Sequence, residues 1–290
     1  MKKIAFIINP ISGGIQKKNI PERILRHIDR TQFSPEIHFS EYDGHMPELT
    51  REVIRKGAEV VVAVGGDGTI SQVAGVLAGT NTLLGLMPMG SGDGLARHLN
   101  IPRNPERAIQ ILNQGKTMNI DSGKAGDHFF INLAGIGFDA HVSWMFARAP
   151  RRGFWSYARI TLNEFARFKT EEIELTIDGK LYRMEGFVFC IANGSQYGNN
   201  AFIAPEADLT DGKFSISILK PFSPLAMPGI GLRLFGKKLN LSKHVVTLEG
   251  SEIHIRREKN GILNLDGESK EIERDFYIRM NPKSIRVLVP

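Results

Sequence analysis

From the start of the chain to Asp121, short apolar runs alternate with stretches of helical spacing. Residues 3–8, 36–40, 59–64 and 83–87 predict strands, and 20–29, 46–56, 69–78, 95–99 and 105–113 predict helices. In 59–64 an unbroken apolar run follows a single acid, which suits a strand buried on both faces. Ile24, Leu25 and Ile28 recur at helical spacing, and Gly79 and Gly115 stand where helices should stop. Strand–helix alternation implies a parallel sheet covered by helices.

Beyond Asp121 the period shortens. Residues 172–177 and 180–184 flank Asp178-Gly179, a dipeptide that readily forms a type I′ turn. Further short strands are predicted at 187–192, 214–219, 245–248, 252–255, 262–265 and 276–280, a spacing that suggests an antiparallel sandwich. The fold class expected is therefore an α/β N-terminal domain with a mostly parallel sheet plus a C-terminal antiparallel β-sandwich domain. The boundaries expected are 1–123, 124–280, and a segment 281–290 that can return to the first domain.

The chain has 290 residues, 42% of them hydrophobic, enough for a substantial core without staples. A single Cys excludes a disulfide framework, a redox Cys pair and a cysteine zinc cluster. No apolar run is long enough to span a membrane. The apolar start at Ile4–Ile8 is too short for a signal peptide, so a buried strand in a cytoplasmic protein is expected. With 37 Lys+Arg against 31 Asp+Glu, the net charge of +6 fits phosphate ligands, nucleic acid or an anionic membrane and selects none of them.

Candidate chemistry concentrates in Gly65-Gly66-Asp67-Gly68-Thr69, between a predicted strand and a predicted helix. Such glycines let backbone approach a ligand and present N–H groups at a helix N-terminus, where phosphate is favoured. Asp67 repels phosphate, so it suits a magnesium contact, a base that takes a hydroxyl proton, or a surface cap. The loop is neither Gly-x-Gly-x-x-Gly nor a P-loop. Gly231–Lys237 imitates a P-loop, but Lys238 stands where Ser or Thr should bind magnesium, and it is read as chance.

This strand–Gly-Gly-Asp-Gly-Thr–helix resembles the signature of the diacylglycerol kinase catalytic domain family, which includes sphingosine, ceramide and bacterial lipid kinases. NAD kinases and phosphofructokinases carry similar loops. Further segments resemble the lipid-kinase pattern in family order: Asn9-Pro10-Ile11-Ser12-Gly13, Ser40 with Gly44-His45, Gly90-Ser91-Gly92-Asp93 with Ala96-Arg97, Ile120-Asp121, Gly137-Phe138-Asp139-Ala140, Pro205 through Asp211-Gly212-Lys213, and Asp266-Gly267-Glu268. The chain departs from the pattern at Asp93, where Asn is usual, which sets a carboxylate near the expected polyphosphate.

The resemblance implies ATP held by Asn9, Ser12, Gly13, Ser40, Gly65, Gly66, Gly68, Thr69, Gly90 and Ser91. It implies Asp67 and Glu268 as the catalytic pair, with either as the base, and Asp139 as the residue that grips the acceptor. Mg²⁺ is implied on the transferring phosphate, and as a structural ion on the Asp211 side chain and the carbonyls of Asp208 and Lys213. The function implied is an ATP- and Mg²⁺-dependent lipid kinase acting on a diacylglycerol, sphingoid base or related lipid. The alternatives are an NAD kinase-like enzyme with a soluble acceptor, or a non-catalytic nucleotide- or lipid-binding regulator. The partners expected are the lipid and, transiently, a membrane surface. Residues 148–169, basic and aromatic, and 222–235, rich in large apolar side chains, are the candidate contacts. No nucleic acid is expected, and a homodimer is left open.

Overall fold

The computed structural model describes residues 1–10, 19–149, 154–165 and 167–290, with 154–158 as backbone only. Ser12 and Gly13, and Arg151 and Arg152 of the basic stretch, lie outside the described residues. The chain divides into two units, Met1–Asp121 with Pro282–Pro290, and Ser122–Asn281.

The first unit runs β1 (Lys2–Ile8), α1 (Ile20–His27), β2 (Phe33–Phe39), α2 (His45–Arg55), β3 (Val60–Gly65), α3 (Asp67–Leu77), β4 (Leu83–Pro88), α4 (Gly94–His98) and α5 (Pro105–Gln114), then enters β5 (Thr117–Ala125). The strands pair in the order β2-β1-β3-β4, every pair parallel, and the end of the chain's last strand lies parallel to β4 with Val287 opposite Leu84. Val60 to Val64 are buried without exception, as a strand covered on both faces requires. Asn104 caps α5 by accepting the Arg107 amide at 2.9 Å, Pro105 opens the helix, and Gly115 closes it in the left-handed region.

The second unit contains β6 (His128–Phe130), β7 (Leu133–Gly137), α6 (Phe138–Ala147), α7 (Phe154–Phe165), β8 (Glu171–Ile177), β9 (Lys180–Gly186), β10 (Val188–Ala192), β11 (Phe214–Leu219), α8 (Met227–Phe235), β12 (Val245–Gly250), β13 (Glu252–Arg256), β14 (Gly261–Leu265), β15 (Glu268–Ile272) and β16 (Asp275–Leu288). One sheet has the order β12-β11-β10-β7-β14-β15 and is antiparallel throughout. β16, β13, β8 and β9 form the antiparallel strands facing it.

β10 shows how the layers form. Phe189 and Ile191 point into the core between the sheets, with Ile253 and Ile255 of β13. Val188, Cys190 and Ala192 point to the opposite face, under Phe138 and Val142 of α6 and Ile230 of α8. Each of these large apolar side chains contributes about 1.5–3 kcal/mol by leaving water. Asp178 and Gly179, with φ of 45° and 84°, make the tight turn between β8 and β9.

The differences from the sequence expectations have physical causes. The third helix starts at Asp67, so the acid and Gly68 open a helix rather than ending a loop. β7, Leu-Ala-Gly-Ile-Gly, carries too little β-branched bulk to announce a strand. α6 follows it directly, and Phe138, Ala140, Val142 and Ser143 are buried on more than one side, so no amphipathic stripe marks the helix. The predicted strand at 276–280 is the first part of β16.

Candidate active site

In the first unit the strand order places a switch point between β1 and β3, whose flanking helices leave in different directions. Ligands of open α/β sheets settle outside the carboxyl ends of strands at such a point. Asn9 follows β1 and Thr69 sits in the first turn of α3, and the Asn9 Nδ2 donates to Thr69 Oγ1 at 3.2 Å across that point. Gly65 makes this possible, because a Cβ there would lie 2.4 Å from Thr69 Oγ1.

The two glycine loops touch through their backbones. A Cβ on Gly90 would lie 2.6 Å from the Cα of Gly66 and 2.6 Å from Asp93 Oδ1. Asp67 joins the same loops by hydrogen bonds: Oδ2 accepts the Asp93 amide at 2.8 Å and Oδ1 accepts the Gly94 amide at 2.7 Å. Its carboxylate therefore caps α4 from outside, satisfying amides that open that helix. This bracing role stands beside the metal contact and the base that the sequence leads one to expect.

Asp93 is left-handed (φ 53°) and its side chain is fully buried. Oδ1 accepts the Gly90 amide at 2.8 Å, Oδ2 lies 3.0 Å from Arg103 Nε, and Arg103 Nη2 donates to the Gly90 carbonyl at 2.6 Å. Burial pushes the Asp93 carboxyl above the usual carboxylate range, opposed by the Gly90 amide and then by Arg103. The carboxylate is turned into its own loop, where an Arg that the sequence did not single out compensates it.

The remaining nucleotide candidates are dispersed in character. Ser91 is exposed beside Gly90, and Ser40 is buried, its amide donating to the Ile8 carbonyl at 2.9 Å. His45 is a local fixture: its Nδ1 accepts the Glu41 amide at 3.1 Å and its ring stacks on Tyr42 at 4.3 Å. Asp121 is fully buried and accepts the Lys283 amide at 2.6 Å.

The second unit holds the acceptor candidate. Asp139 occupies the first turn of α6 above Gly135 of β7, where a Cβ would fall 1.9 Å from Asp139 Oδ2. That oxygen accepts the Tyr197 hydroxyl at 3.3 Å, while the buried Oδ1 has no hydrogen-bond partner. Burial raises the carboxyl to about 7, with the Ala140 amide, Asn264 and Tyr197 opposing. Gly135 is flanked in the sheet by Asn264 and by Cys190. Burial first, and the Asp139 charge second, push the Cys190 thiol well above its usual range. Tyr197 and Asn264 carry no motif, so no sequence signal pointed to them. A buried carboxyl with a raised pKa, under a glycine that leaves room for it, makes Asp139 a candidate functional residue.

Asp266-Gly267, left-handed at both positions, turns β14 into β15. The buried Asp266 carboxylate accepts the amides of Ile131, Asn132 and Leu133, each at 2.9 Å. Glu268 is half-buried on β15, 3.3 Å from Lys270 Nζ. Asp67 thus belongs to the first unit, and Glu268 and Asp139 to the second.

Asp208 Oδ1 accepts from the Thr210 amide and hydroxyl, at 2.9 and 2.7 Å, and Asp211 Oδ1 accepts the Lys213 amide at 2.9 Å. All three predicted metal residues are exposed, and Lys213 reaches Glu249 at 3.7 Å. Among the described residues no cluster of three or more His, Cys, Asp or Glu is arranged to hold a metal ion. No described helix is long and apolar enough to cross a membrane. In the aromatic stretch, Phe165 and Phe168 pack on Phe138 and Phe187 as core, rather than facing out.

Comparison with known proteins agrees with this fold. Residues 3–125 match the diacylglycerol kinase catalytic domain, and residues 132–289 match the YegS C-terminal NAD kinase beta sandwich-like domain. The chain belongs to the lipid kinase family that these two domains define. A diacylglycerol kinase of Bacillus subtilis (strain 168) is 27% identical over 92% of this chain and 90% of its own length. A protein of Serratia proteamaculans (strain 568) named "Probable lipid kinase YegS-like" is 27% identical over 98% of this chain and 93% of its own. The crystal structure of a diacylglycerol kinase from Bacillus anthracis str. Sterne superimposes with a TM-score of 0.76 at 20% identity, covering 100% of this chain and 97% of that one, and shows the shared fold.

Proposed function

We propose that the chain transfers the γ-phosphate of ATP to the hydroxyl of a diacylglycerol or a similar lipid. The observation that carries this reading is the brace between the glycine loops, in which Asp67 ties α3 to α4 while Gly66 and Gly90 approach backbone to backbone. Two glycine loops held together at the end of a parallel sheet, beside the N-terminus of α3, are where a polyphosphate is favoured.

Magnesium enters most simply with the nucleotide. Mg²⁺ keeps several waters and uses one or two carboxylates with the substrate's phosphates, so it needs no protein cage. Asp67 is the carboxylate at that end of the sheet. It also holds its loop by accepting the Asp93 and Gly94 amides. Asp211, with the carbonyls of Asp208 and Lys213, is the site we assign to a weak structural cation. Mg²⁺ should raise the melting temperature of the wild type and not of Asp211→Asn. In the second unit Asp139 orients the acceptor head group through its unpartnered Oδ1, and Glu268 or Asp67 takes the hydroxyl proton.

The test is transfer from γ-labelled MgATP to mixed micelles of diacylglycerol, sphingosine or ceramide, comparing wild type with Asp67→Asn. Label on one lipid class from wild type alone supports the reading and names the acceptor. Labelling of NAD in place of every lipid, or ATP binding with no transfer to any acceptor, overturns it.

A further inference from the structure

α8 is apolar on the face it turns to solvent as well as on the face it buries. Ile230 and Leu234 pack into the layer that holds Phe138 and Phe187, the ordinary inward half of an amphipathic helix. On the outside Leu232 is 78% exposed and Phe235 53%, with Leu225 just before the helix at 92% and Leu241 just after it at 66%. Pro224, Pro228 and Gly229 are exposed beside them and bring no charge. Single exposed leucines need no explanation, but such a cluster on one short segment does.

The charges within this stretch of the chain have one sign. No Asp or Glu occurs between Asp211 and Glu249, whereas Lys213, Lys220, Arg233, Lys237, Lys238 and Lys243 do. Lys220, Lys238 and Lys243 are exposed and enter no ion pair among the described residues. Lys237 lies 4.5 Å over the Phe202 ring, and Arg233 donates to the Leu241 carbonyl at 3.4 Å. Glu206 reaches the segment from outside and is held by Asn240 Nδ2 at 2.9 Å.

We infer that the segment from Leu225 to Lys243 docks on an anionic lipid bilayer. Its exposed leucines and Phe235 enter the acyl boundary, and Lys238 and Lys243 meet the headgroups. Apolar insertion flanked by unpaired cations is the chemistry of an interfacial helix. A second copy of the chain is a poor occupant, because a two-fold contact would set a surface rich in cations against itself, with Glu206 already held by Asn240. The inference extends the lipid-kinase reading above, but vesicle binding needs neither ATP nor turnover, so each can fail while the other stands.

The experiment is co-sedimentation of the full chain with phosphatidylcholine vesicles, with and without phosphatidylglycerol. Wild type should bind the anionic vesicles and be released by salt. Leu225→Ser with Leu232→Ser should weaken binding by roughly tenfold or more, and Lys238→Gln with Lys243→Gln by roughly tenfold. Unchanged circular dichroism in either variant separates lost docking from lost folding, since all four side chains are exposed. Undiminished binding in both variants, or no binding of wild type to anionic vesicles, would overturn the inference. So would a solution dimer that Leu232→Asp splits, because the ridge would then be covered by a second chain.

Discussion

Asp67 caps a helix to which it does not belong: from the first turn of α3 its Oδ1 accepts, at 2.7 Å, the amide of Gly94, the first residue of α4. One side chain thereby sets the distance between the loops that follow β3 and β4. Asp67→Ala leaves two amides at a helix start without their acceptor and should lower stability by about 1–3 kcal/mol. Asp67→Asn keeps one acceptor oxygen and should lose about 1 kcal/mol or less. If the carboxylate also serves the chemistry, the Asn variant, still folded, loses kcat by about 100-fold or more. Urea unfolding together with kcat and KM for ATP checks this, and a raised KM with kcat retained would reduce Asp67 to a brace.

The Asp93–Arg103 pair makes a second, separable prediction. Arg103→Met strands a fully buried carboxylate beside the Gly90 amide and should destabilise by about 3 kcal/mol. Adding Asp93→Asn removes the stranded charge and should recover much of that loss, whereas Asp93→Asn alone should be mild. Because Arg103 also holds the Gly90 carbonyl, Arg103→Met should raise KM for ATP more than it lowers kcat. A double-mutant cycle on unfolding free energy measures the coupling, and a coupling near zero would refute it.

The parallel half of the fold was legible because Val60 to Val64 is an unbroken apolar run that ends in three glycines and an acid. Its chemistry and its local structure coincide. The glycine loops were legible for the same reason. Arg103 was not, since its partner Asp93 is ten positions earlier across a turn and a helix, and nothing in either neighbourhood marks the pair. Tyr197 and Asn264 converge on Asp139 only through the pairing of β7 with β14 and the packing of α6 over them, which are long-range facts. Asp266-Gly267 was legible as a turn, but not as the anchor for three amides more than a hundred residues earlier.

Asp139 should make stability depend on pH. Its carboxyl is raised from 3.8 to about 7 by burial, so the unfolded chain releases this proton at lower pH than the folded one. The favourable contribution is complete below pH 3.8 and is lost as pH rises through about 7. Relative to Asp139→Asn, which does not titrate, wild type should therefore become less stable by an amount on the order of 4 kcal/mol between these limits. Unfolding midpoints at acid and mildly alkaline pH test the sign, and parallel curves for the two proteins would contradict it. Gly135→Ala offers a complementary probe, since its Cβ would meet Asp139 Oδ2 at 1.9 Å and displace the carboxyl without altering it. That variant should lose acceptor binding, seen as a raised KM for lipid, with KM for ATP unchanged.

Asp266 and Glu268 sit two residues apart and should behave oppositely. The Asp266 carboxylate is buried and accepts three backbone amides, charge-assisted bonds that nothing else in the turn can replace. Asp266→Ala should cost about 3 kcal/mol or more, because three buried donors lose their acceptor together. Glu268 is 38% exposed and its Lys270 contact is of the surface kind, so Glu268→Gln should cost far less stability, about 1 kcal/mol or less. Loss of lipid phosphorylation in Glu268→Gln would then be a chemical effect, whereas in Asp266→Ala it would follow loss of the folded sandwich. Thermal melting of both variants, run beside the labelled-ATP assay, separates the two. A Glu268→Gln protein that melts like wild type and turns over like wild type would leave Asp67 as the base.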